Sequence, residues 1–426
     1  MILTTHAPAD SVTATAAALA VVGAVTVAAT LSFWWLTGIG ARVETGGDYE
    51  AVYEPVARAI LTQGRPLTPD GAPATRYPPG YPLVLAAGFW ASAHTGIDEA
   101  TIRAGLALAA MAGSSMFLFL MARTIWPRQA SFVAPALWTS CPLVLWMSGI
   151  ESSEPTFFVL FFAACYAAWI GVVRRRPTVW LAVAGVLLGA AMMVRPVAIA
   201  VGALLAAGVW ADWRRDRPAR VRLAGVALVL IGNLLVVAPW IGWLHQRTGR
   251  FVPLSDGAAP SMRDGLTFAI NLKGYRAGTP VPSGVAAAMR DIQADYHDLR
   301  SPADVGRAVW GQLQERPVAV GELFLLKAAR SWYGTDSHQR EGAVAAILLV
   351  YLVPVIVGTF VAWQAGADAR RLAVGIAAIV LYFWAMTVLV LSIVRYMLPA
   401  LGLLFVLAPG AVVASGQRFR PAAAGG

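Results

Sequence analysis

The chain has 426 residues, of which 58% are apolar and only 13% are charged. Soluble domains carry about 45–50% apolar residues and about 25% charged residues, so this chain lacks the polar side chains to cover a water-facing surface. The composition therefore excludes an ordinary cytosolic enzyme, a disordered chain and a nucleic-acid-binding protein. The sequence predicts an integral membrane protein. Its net charge of +10 is attributed to basic residues in the loops that join the spans.

The apolar runs predict an all-α polytopic membrane protein. A helix needs about 20 apolar residues to cross a bilayer, and ten runs come close to that length. The predicted spans are 12–37, 104–122, 129–149, 155–173, 178–194, 197–211, 223–244, 342–363, 372–391 and 396–415.

The run 80–95 decides the predicted topology. It is short for a span and begins in a proline-rich stretch, so we interpret it as a re-entrant or membrane-parallel helix on the outer face. With 80–95 not crossing, the short inner loops hold 14 arginines against four aspartates, as the positive-inside rule requires. Both termini are then predicted to face the cytoplasm, and the protein is predicted to lie in the cytoplasmic (inner) membrane. These arginines are Arg123, Arg128, Arg174–Arg176, Arg214, Arg215, Arg217, Arg220, Arg222, Arg370, Arg371, Arg418 and Arg420.

Two long segments fall on the outer side, residues 38–103 and 245–341. The first is predicted to carry juxtamembrane helices, and the second to form a small, mainly helical extracytoplasmic module. Ser301, followed by Pro302 and then Asp304, is a typical capped helix start. The predicted units are an N-terminal transmembrane catalytic module (1–244), the outer module (245–341) and C-terminal transmembrane helices (342–426), with outer-module helices near 284–299, 302–315 and 317–333.

Asp48 begins an amphipathic stretch in the first outer loop. Tyr49, Val52, Tyr53 and Val56 recur at helical spacing, which places Asp48 at the start of an interfacial helix. Its carboxylate is interpreted as an N-cap, or as a rigidly held general base or metal ligand at the membrane surface. The two roles are compatible.

Two further groups of polar side chains are predicted at the same outer boundary. Arg76, with Tyr77 and Tyr81, lies in a proline-rich stretch that fits either an interfacial turn or a phosphate site. Glu151 and Glu154 share a short outer connection, where carboxylates must be solvated, paired or bound to metal.

Two more arginines interrupt apolar runs at this boundary. Arg195 and Arg395, the latter followed by Tyr396, depart from the positive-inside bias. Snorkelling of the guanidinium to lipid headgroups explains either one singly. Together with Arg76 they fit an anion site near the lipid surface, suited to a lipid phosphate.

In this order the motifs resemble the GT-C superfamily of polytopic glycosyltransferases, in particular the bacterial relatives of the protein O-mannosyltransferases and of the aminoarabinose transferase that acts on lipid A. The resemblance covers nearly the whole chain. It rests on Asp48, Arg76 to Pro82, Glu154, Arg195-Pro196, Pro239-Trp240, Gly249 to Ser255, Asn271-Leu272 with Gly274, Arg316-Pro317 leading to Lys327, and Arg395-Tyr396 with Pro399.

The resemblance implies a hexosyl- or pentosyltransferase that takes a sugar from a polyprenyl phosphate and transfers it outside the cytoplasmic membrane by inverting direct displacement. Asp48 is then the expected catalytic base. Arg76, Arg195, Arg395 and Tyr396 are expected to bind the donor phosphate. Glu154, and more weakly Glu151, would position the acceptor or hold a divalent cation, which Asp48 would share. Supporting roles fall to Tyr77, Tyr81 and Lys327.

Two other interpretations remain for the sequence. A polytopic lipid or sugar-lipid carrier, or flippase, is expected to keep ionisable groups at mid-membrane depth, and the predicted spans have none in their interiors. An inactive relative serving as an accessory subunit is the other. Partners expected from the sequence are the polyprenyl-phosphate donor, membrane lipids and a glycan, lipid or protein acceptor, with no nucleic acid.

Overall fold

The computed structural model describes residues 12–39, 47–149, 151–173, 177–212, 217–270 and 280–418. Arg174–Arg176, Arg214, Arg215, Arg420 and the motif residues Asn271, Leu272 and Gly274 lie outside the described residues. In chain order the helices are α1 (Val12–Thr37), α2 (Glu54–Gln63), α3 (Gly80–Thr95), α4 (Glu99–Arg123), α5 (Arg128–Ser131), α6 (Val133–Ser140), α7 (Pro142–Trp146), α8 (Glu154–Val173), α9 (Pro177–Val194), α10 (Val201–Asp212), α11 (Ala219–Thr248), α12 (Ala258–Leu266), α13 (Ser283–Ala294), α14 (Pro302–Glu315), α15 (Pro317–Arg330), α16 (Glu341–Ala365), α17 (Ala367–Leu389), α18 (Leu398–Phe405) and α19 (Pro409–Arg418).

The predicted all-α polytopic fold is confirmed, but the count of ten spans is not. Within the described part of the chain, seven helical segments are long and apolar enough to cross a membrane: α1, α4, α8, α11, α16, α17 and the segment Val394–Gly416, which contains α18 and α19. The predicted spans 178–194 and 197–211 correspond to α9 and α10, which are shorter apolar helices.

The predicted span 129–149 is broken into the three short helices α5, α6 and α7. Cys141 is extended, with φ −73° and ψ 113°, and Pro142 follows it as the first residue of α7. A proline disfavours the helical conformation in the residue before it and has no N–H to continue the ladder. Hydropathy therefore registered the apolar run correctly and missed the break within it.

Glycines allow the backbones of α9 and α11 to touch. A Cβ at Gly185 would lie 2.3 Å from the carbonyl oxygen of Val229, and one at Gly232 would lie 2.8 Å from that of Ala182. Small residues at such contacts are typical of membrane helix pairs, whose association depends on close packing. Helices α4, α8, α9 and α11 pack in this way into the membrane core.

The first outer loop packs on that core as its pattern predicts. Asp48 leads through a π-helical turn, Tyr49–Tyr53, into α2, and Tyr49, Tyr53 and Val56 are buried. Helix α3 lies against α9, because a Cβ at Gly80 would be 2.4 Å from the carbonyl oxygen of Met193. This contact holds the first residue of α3 against Met193, which lies two residues before Arg195 in the sequence.

The outer segment forms a small helical layer with its own apolar core. Helices α13, α14 and α15 correspond to the three predicted outer helices. The predicted cap of α14 is confirmed as a capping box between Ser301 and Asp304. Buried side chains of α12 to α15 include Leu266, Val285, Met289 and Leu323. The boundaries of the three predicted units remain predictions.

Candidate active site

Glu154, the first residue of α8, is buried between two arginines, and we call Glu154, Arg195 and Arg395 the Glu154 group. The Arg195 Nη1 and the Arg395 Nε both donate to its Oε1, and the hydroxyl of Ser152 donates to Oε2. Three separate elements therefore meet at one carboxylate.

Local backbone rules place both arginines. Arg195 precedes Pro196 and is extended, with φ −141° and ψ 120°, so it ends α9 and turns its side chain out of the helix. Arg395 lies in the 3-10 turn Val394–Met397 between α17 and α18. The guanidinium of Arg195 also lies 5.3 Å from the ring centre of Tyr396, a cation–π contact.

Asp48 is held by the proline-rich stretch, and we call Asp48, Arg76 and Tyr77 the Asp48 group. The Arg76 Nη2 donates to Asp48 Oδ1 at 3.3 Å, and the Tyr77 hydroxyl donates to Oδ2 at 3.1 Å. Asp48 itself is helical, and its side chain makes no capping hydrogen bond. The N-cap interpretation of this carboxylate is therefore wrong, because both oxygens turn to Arg76 and Tyr77 instead.

Tyr53 connects the two groups. Its ring lies 5.2 Å from that of Tyr77 and 5.1 Å from that of Tyr81, between centroids. Burial raises the pKa of Tyr53 to about 12, and the charges that act on it include Arg195 and Glu154 as well as Asp48. Asp48, Glu154 and Arg195 thus lie close enough to act on one tyrosine.

A cavity of about 430 Å³, here called the arginine cavity, opens beside these groups. Arg76, Arg195, Tyr53, Tyr77 and Tyr396 supply one side of its lining. Asp48 contacts the lining residues Arg76 and Tyr77, and Arg395 shares the carboxylate of Glu154 with the lining residue Arg195. The apolar side of the lining consists of Val194, Val197, Ile199, Met386, Val390 and Leu391. Its volume is in the range of small-molecule sites.

The outer segment covers the arginine cavity and adds charged residues that the sequence did not single out. Arg250 and Asp256 both line it, 3.9 Å apart at their charged atoms. The Thr75 hydroxyl donates to Asp256 Oδ2 at 2.6 Å, which ties this cover to the residue before Arg76. Trp240 donates to the carbonyl oxygen of Leu254 at 2.8 Å and anchors the same stretch from α11.

These contributions were visible in the sequence only as context. Arg250 lies within the motif Gly249 to Ser255, and Tyr53 lies on the predicted buried face after Asp48. Neither position departs from its local pattern, so nothing marked it as part of a site. Asp256 depends on a contact across 181 residues, which no local pattern shows.

Three supporting residues lie around this centre. Tyr81 is buried against Tyr53, and Glu151 lies in the turn before α8, where its charge contributes to raising the pKa of Tyr49, an effect due mainly to burial. Lys327 is fully buried, and its Nζ donates to the carbonyl oxygen of Val390, a lining residue, at 3.2 Å. Burial and the neighbouring Arg330 lower the pKa of Lys327 to about 7.

The donor set at this centre does not fit a divalent metal. No three His, Cys, Asp or Glu side chains cluster at metal-binding distance in the ranges that the structure describes. The Glu154 carboxylate faces two guanidiniums and that of Asp48 faces one, and such cations repel a metal ion. The two carboxylates act as partners of arginine here, and we assign no step to a metal.

Residues 78–243 match the family model described as dolichyl-phosphate-mannose-protein mannosyltransferase. No curated protein sequence matches the chain significantly. The matched range runs from the proline-rich stretch that follows Arg76 to α11, and it includes Glu154 and Arg195.

Solved structures show the same fold at low sequence identity. The archaeal oligosaccharyltransferase AglB from Archaeoglobus fulgidus, in complex with an inhibitory peptide and a dolichol-phosphate, aligns with a TM-score of 0.56 at 12% identity, covering 95% of this chain and 50% of that one. The Archaeoglobus fulgidus oligosaccharyltransferase in complex with Zn and sulfate aligns with a TM-score of 0.53 at 16% identity, with the same coverage. ArnT from Cupriavidus metallidurans bound to undecaprenyl phosphate aligns with a TM-score of 0.43 at 16% identity, covering 92% of this chain and 78% of that one.

The chain spans about half the length of the oligosaccharyltransferase structures that it matches. The likeness extends over 95% of this chain. The resemblance drawn from the sequence motifs is confirmed: the chain has the fold of the Archaeoglobus fulgidus oligosaccharyltransferases, and it resembles the dolichyl-phosphate-mannose-protein mannosyltransferase family over residues 78–243.

Proposed function

We propose that the protein is a membrane glycosyltransferase that moves a sugar from a polyprenyl-phosphate donor to an acceptor on the extracytoplasmic side. One observation carries the proposal: Asp48 is ion-paired to Arg76, which lines a cavity together with Arg195, Tyr77 and Tyr396. A carboxylate, a cationic wall and an apolar wall thereby meet in one site. These are the groups that transfer from a lipid phosphate to a hydroxyl requires.

The cationic side of the arginine cavity suits the donor phosphate. Arg76 and Arg195 line the cavity, and Arg395 shares Glu154 with Arg195. With Asp48 paired to Arg76, the Asp48 group and the Glu154 group together carry one net positive charge. A guanidinium presents paired N–H donors that match phosphate oxygens. Held in place before the donor arrives, these donors would also stabilise the charge that gathers on the departing phosphate.

The apolar side suits the lipid part of the donor. Val197, Ile199, Met386 and Leu391 line the cavity beside Arg195. Ile199 and the neighbouring Leu389 are exposed, which places apolar side chains towards the lipid phase. The dolichol-phosphate in the AglB complex is a lipid phosphate of the same kind, and this supports the assignment.

Asp48 would act as the base. It accepts the proton of the acceptor hydroxyl while the acceptor oxygen forms a bond to the anomeric carbon. The bond from that carbon to the phosphate oxygen breaks on the opposite side, its electron pair leaves with the polyprenyl phosphate, and the anomeric configuration inverts. Donor phosphate competing for Arg76 would free Asp48 Oδ1 for this proton.

Glu154 would act on the reaction through its arginines. Its two oxygens are taken up by Arg195, Arg395 and Ser152, so it orients the phosphate-binding groups instead of meeting the acceptor. Glu151, in the preceding turn, keeps its predicted role in positioning the acceptor. An outer-face site with cytoplasmic termini in the inner membrane follows from the arginine-rich loops.

Comparing cells with and without the gene tests this proposal, with variants supplied on a plasmid. Loss of the protein should enlarge the pool of one lipid-linked sugar and remove one envelope glycan. Asp48→Asn should fail to restore either, at wild-type abundance in the membrane. Asp70→Asn is the matched control, because Asp70 is an exposed acid of the same outer segment, hydrogen-bonded to Thr68 in a turn, and it should restore both.

Full restoration by Asp48→Asn would remove Asp48 from the reaction. An unchanged lipid-linked pool and unchanged glycans in the deletion strain would overturn the transferase assignment itself.

A further inference from the structure

A second cavity, of about 610 Å³, lies between α8, α10 and α17. Its lining is almost wholly apolar and includes Trp169, Leu205, Val209 and Ile379. The charged lining residues are Asp212, Arg370 and Arg371, and they all lie at helix ends, the last residue of α10 and the first turns of α17.

The second cavity lies at the opposite end of α17 from the arginine cavity. Residues 370–379 of this helix line the second cavity, and residues 386–391 line the arginine cavity and extend just past its end. At 1.5 Å per residue, Arg371 and Thr387 are about 24 Å apart along the helix axis. That distance approaches the thickness of a bilayer core, so the two cavities open near opposite membrane boundaries.

An aromatic layer closes the molecule between the two cavities. Phe383 of α17 is fully buried and packs edge-on against Phe161 of α8, with centroids 5.3 Å apart. The adjacent Tyr382 donates its hydroxyl to the carbonyl oxygen of Val197 at 2.7 Å. Helix α17 is thereby tied to α8 and to the turn before α10. The two cavities have no lining residue in common.

The walls of the second cavity leave room for hydrocarbon. Gly208 and Gly375 both line it, and a Cβ built on either would meet no atom within 4 Å. The cavity is apolar and lies between membrane helices. Acyl chains could therefore fill it without burying unpaired polar groups.

The charges at the mouth define the headgroup. Asp212 and Asp368 both pair with Arg371, at 3.2 and 3.6 Å, so that guanidinium is offset by carboxylates. The Nε of Arg370 contacts a neutral partner, the carbonyl oxygen of Gly366, which leaves the positive charge of Arg370 for an anion. We propose that the second cavity binds one glycerophospholipid with a singly negative headgroup, its phosphate on Arg370 and its acyl chains between α10 and α17.

Native mass spectrometry of the purified full-length protein, released from nanodiscs of phosphatidylglycerol and phosphatidylcholine, tests the proposal. The wild type should retain one phosphatidylglycerol molecule in preference to phosphatidylcholine. Gly375→Leu should weaken this retention by about tenfold or more, because the leucine side chain takes the place of several acyl methylenes. Gly105→Leu is the matched control, since Gly105 of α4 also has open space around it and is absent from the lining.

The headgroup contact has its own variant. Arg370→Gln should remove the preference for phosphatidylglycerol while leaving some lipid bound, and Arg65→Gln, an exposed outer arginine, should keep it. Both leucine variants should unfold at wild-type temperature or above, because leucine favours helix over glycine.

Three outcomes would overturn the proposal. Wild-type retention of phosphatidylglycerol by Gly375→Leu would show that the lipid sits elsewhere. Equal retention of phosphatidylglycerol and phosphatidylcholine would remove the charge argument. Displacement of the retained lipid by added undecaprenyl phosphate would make the second cavity part of the donor site.

Discussion

Replacing Glu154 with glutamine tests whether this one buried carboxylate holds Arg195 and Arg395 in place. The side chain of Glu154 is 1% exposed, and those of Arg195 and Arg395 are 11% and 29% exposed. Glutamine keeps the shape of glutamate and one hydrogen-bond acceptor, and it removes the charge. Two largely buried guanidiniums then lie side by side without a counter-ion.

The expected loss of stability is about 3–5 kcal/mol. At an effective dielectric constant of about 20, one charge pair at 4 Å attracts with about 4 kcal/mol, and Glu154 makes two such pairs. Desolvation of the three groups offsets part of this attraction, while removing one partner leaves the other charges buried, which is the costly case. A surface pair gives the contrast: Glu54→Gln breaks the exposed i,i+4 pair with Arg58 and should cost at most about 0.5 kcal/mol.

Thermal unfolding in detergent can be followed with a thiol-reactive fluorogenic dye. Both cysteines, Cys141 and Cys165, are free and buried, so the dye reacts as the protein opens. Ligand binding adds a second measurement, since a ligand that binds only the folded state raises its stability. Undecaprenyl phosphate should stabilise Glu154→Gln more than the wild type, because its phosphate supplies the missing negative charge.

Two results would refute this reasoning. An unfolding temperature of Glu154→Gln equal to that of Glu54→Gln would mean that Glu154 does not hold the arginines. An equal shift with undecaprenyl phosphate in variant and wild type would mean that the ligand does not meet Arg195 and Arg395.

Three further changes test the surroundings of the site. Tyr77→Phe removes one hydrogen bond to Asp48 and should lower kcat by about tenfold with little change in stability; transfer assays at saturating donor measure this, and an unchanged kcat would exclude the contact from catalysis. Gly80→Ala should lower the free energy of unfolding by about 1–3 kcal/mol, because the added methyl group meets a carbonyl oxygen of α9 at 2.4 Å. Gly105→Ala, at a position with open space around it, should not lower it. Equal unfolding temperatures for the two variants would contradict the close packing of α3 on α9. The free energy of unfolding of the wild type should rise as pH increases from 7 to about 9.5. Burial lowers the pKa of Lys327 to about 7, so in this range the lysine is protonated in the unfolded chain and neutral in the folded one. Lys327→Met should show a smaller rise, and a pH profile identical to that of the wild type would contradict this assignment.

The sequence revealed three charged members of the site, Arg195, Arg395 and Glu154, because each departs from its local pattern. Arg195 and Arg395 interrupt apolar runs on the outer side, where arginine is disfavoured, and Glu154 begins a span. Such residues stand out without any knowledge of tertiary structure. The meeting of both arginines at Glu154 could be expected only from the shared membrane boundary.

The pairing among these residues was beyond the sequence. Asp48 suited an N-cap by position and residue type, yet its carboxylate contacts Arg76 and Tyr77, 28 and 29 residues further on. Glu154 meets Arg395 across 241 residues. The choice among partners of similar chemistry is made by tertiary packing, and local pattern carries no information about it.

The predicted count of ten spans is not confirmed, for a related reason. Hydropathy measures whether a segment is apolar enough for lipid, and the run 129–149 meets that criterion. Hydropathy does not measure whether the helix is continuous. Cys141 and Pro142 break that run, and α10 has 12 residues, about 18 Å at 1.5 Å per residue. Such interrupted backbone is stable at membrane depth only where protein or a cavity surrounds it.

Burial of the interrupted backbone also explains where the charges lie. Trp138 and Thr139, just before the break at Cys141, are buried against α8 and its neighbours, while the turn before α10 borders the arginine cavity through Val197. A helix that ends short of the membrane boundary brings its polar terminus to a depth where lipid cannot solvate it, so that end must meet protein, water or a bound anion. Arg195 ends α9 and pairs there with Glu154 beside the arginine cavity. The break between α9 and α10 and the cationic site are therefore one feature: residues of that break line the cavity, and Arg195 at the break gives it positive charge.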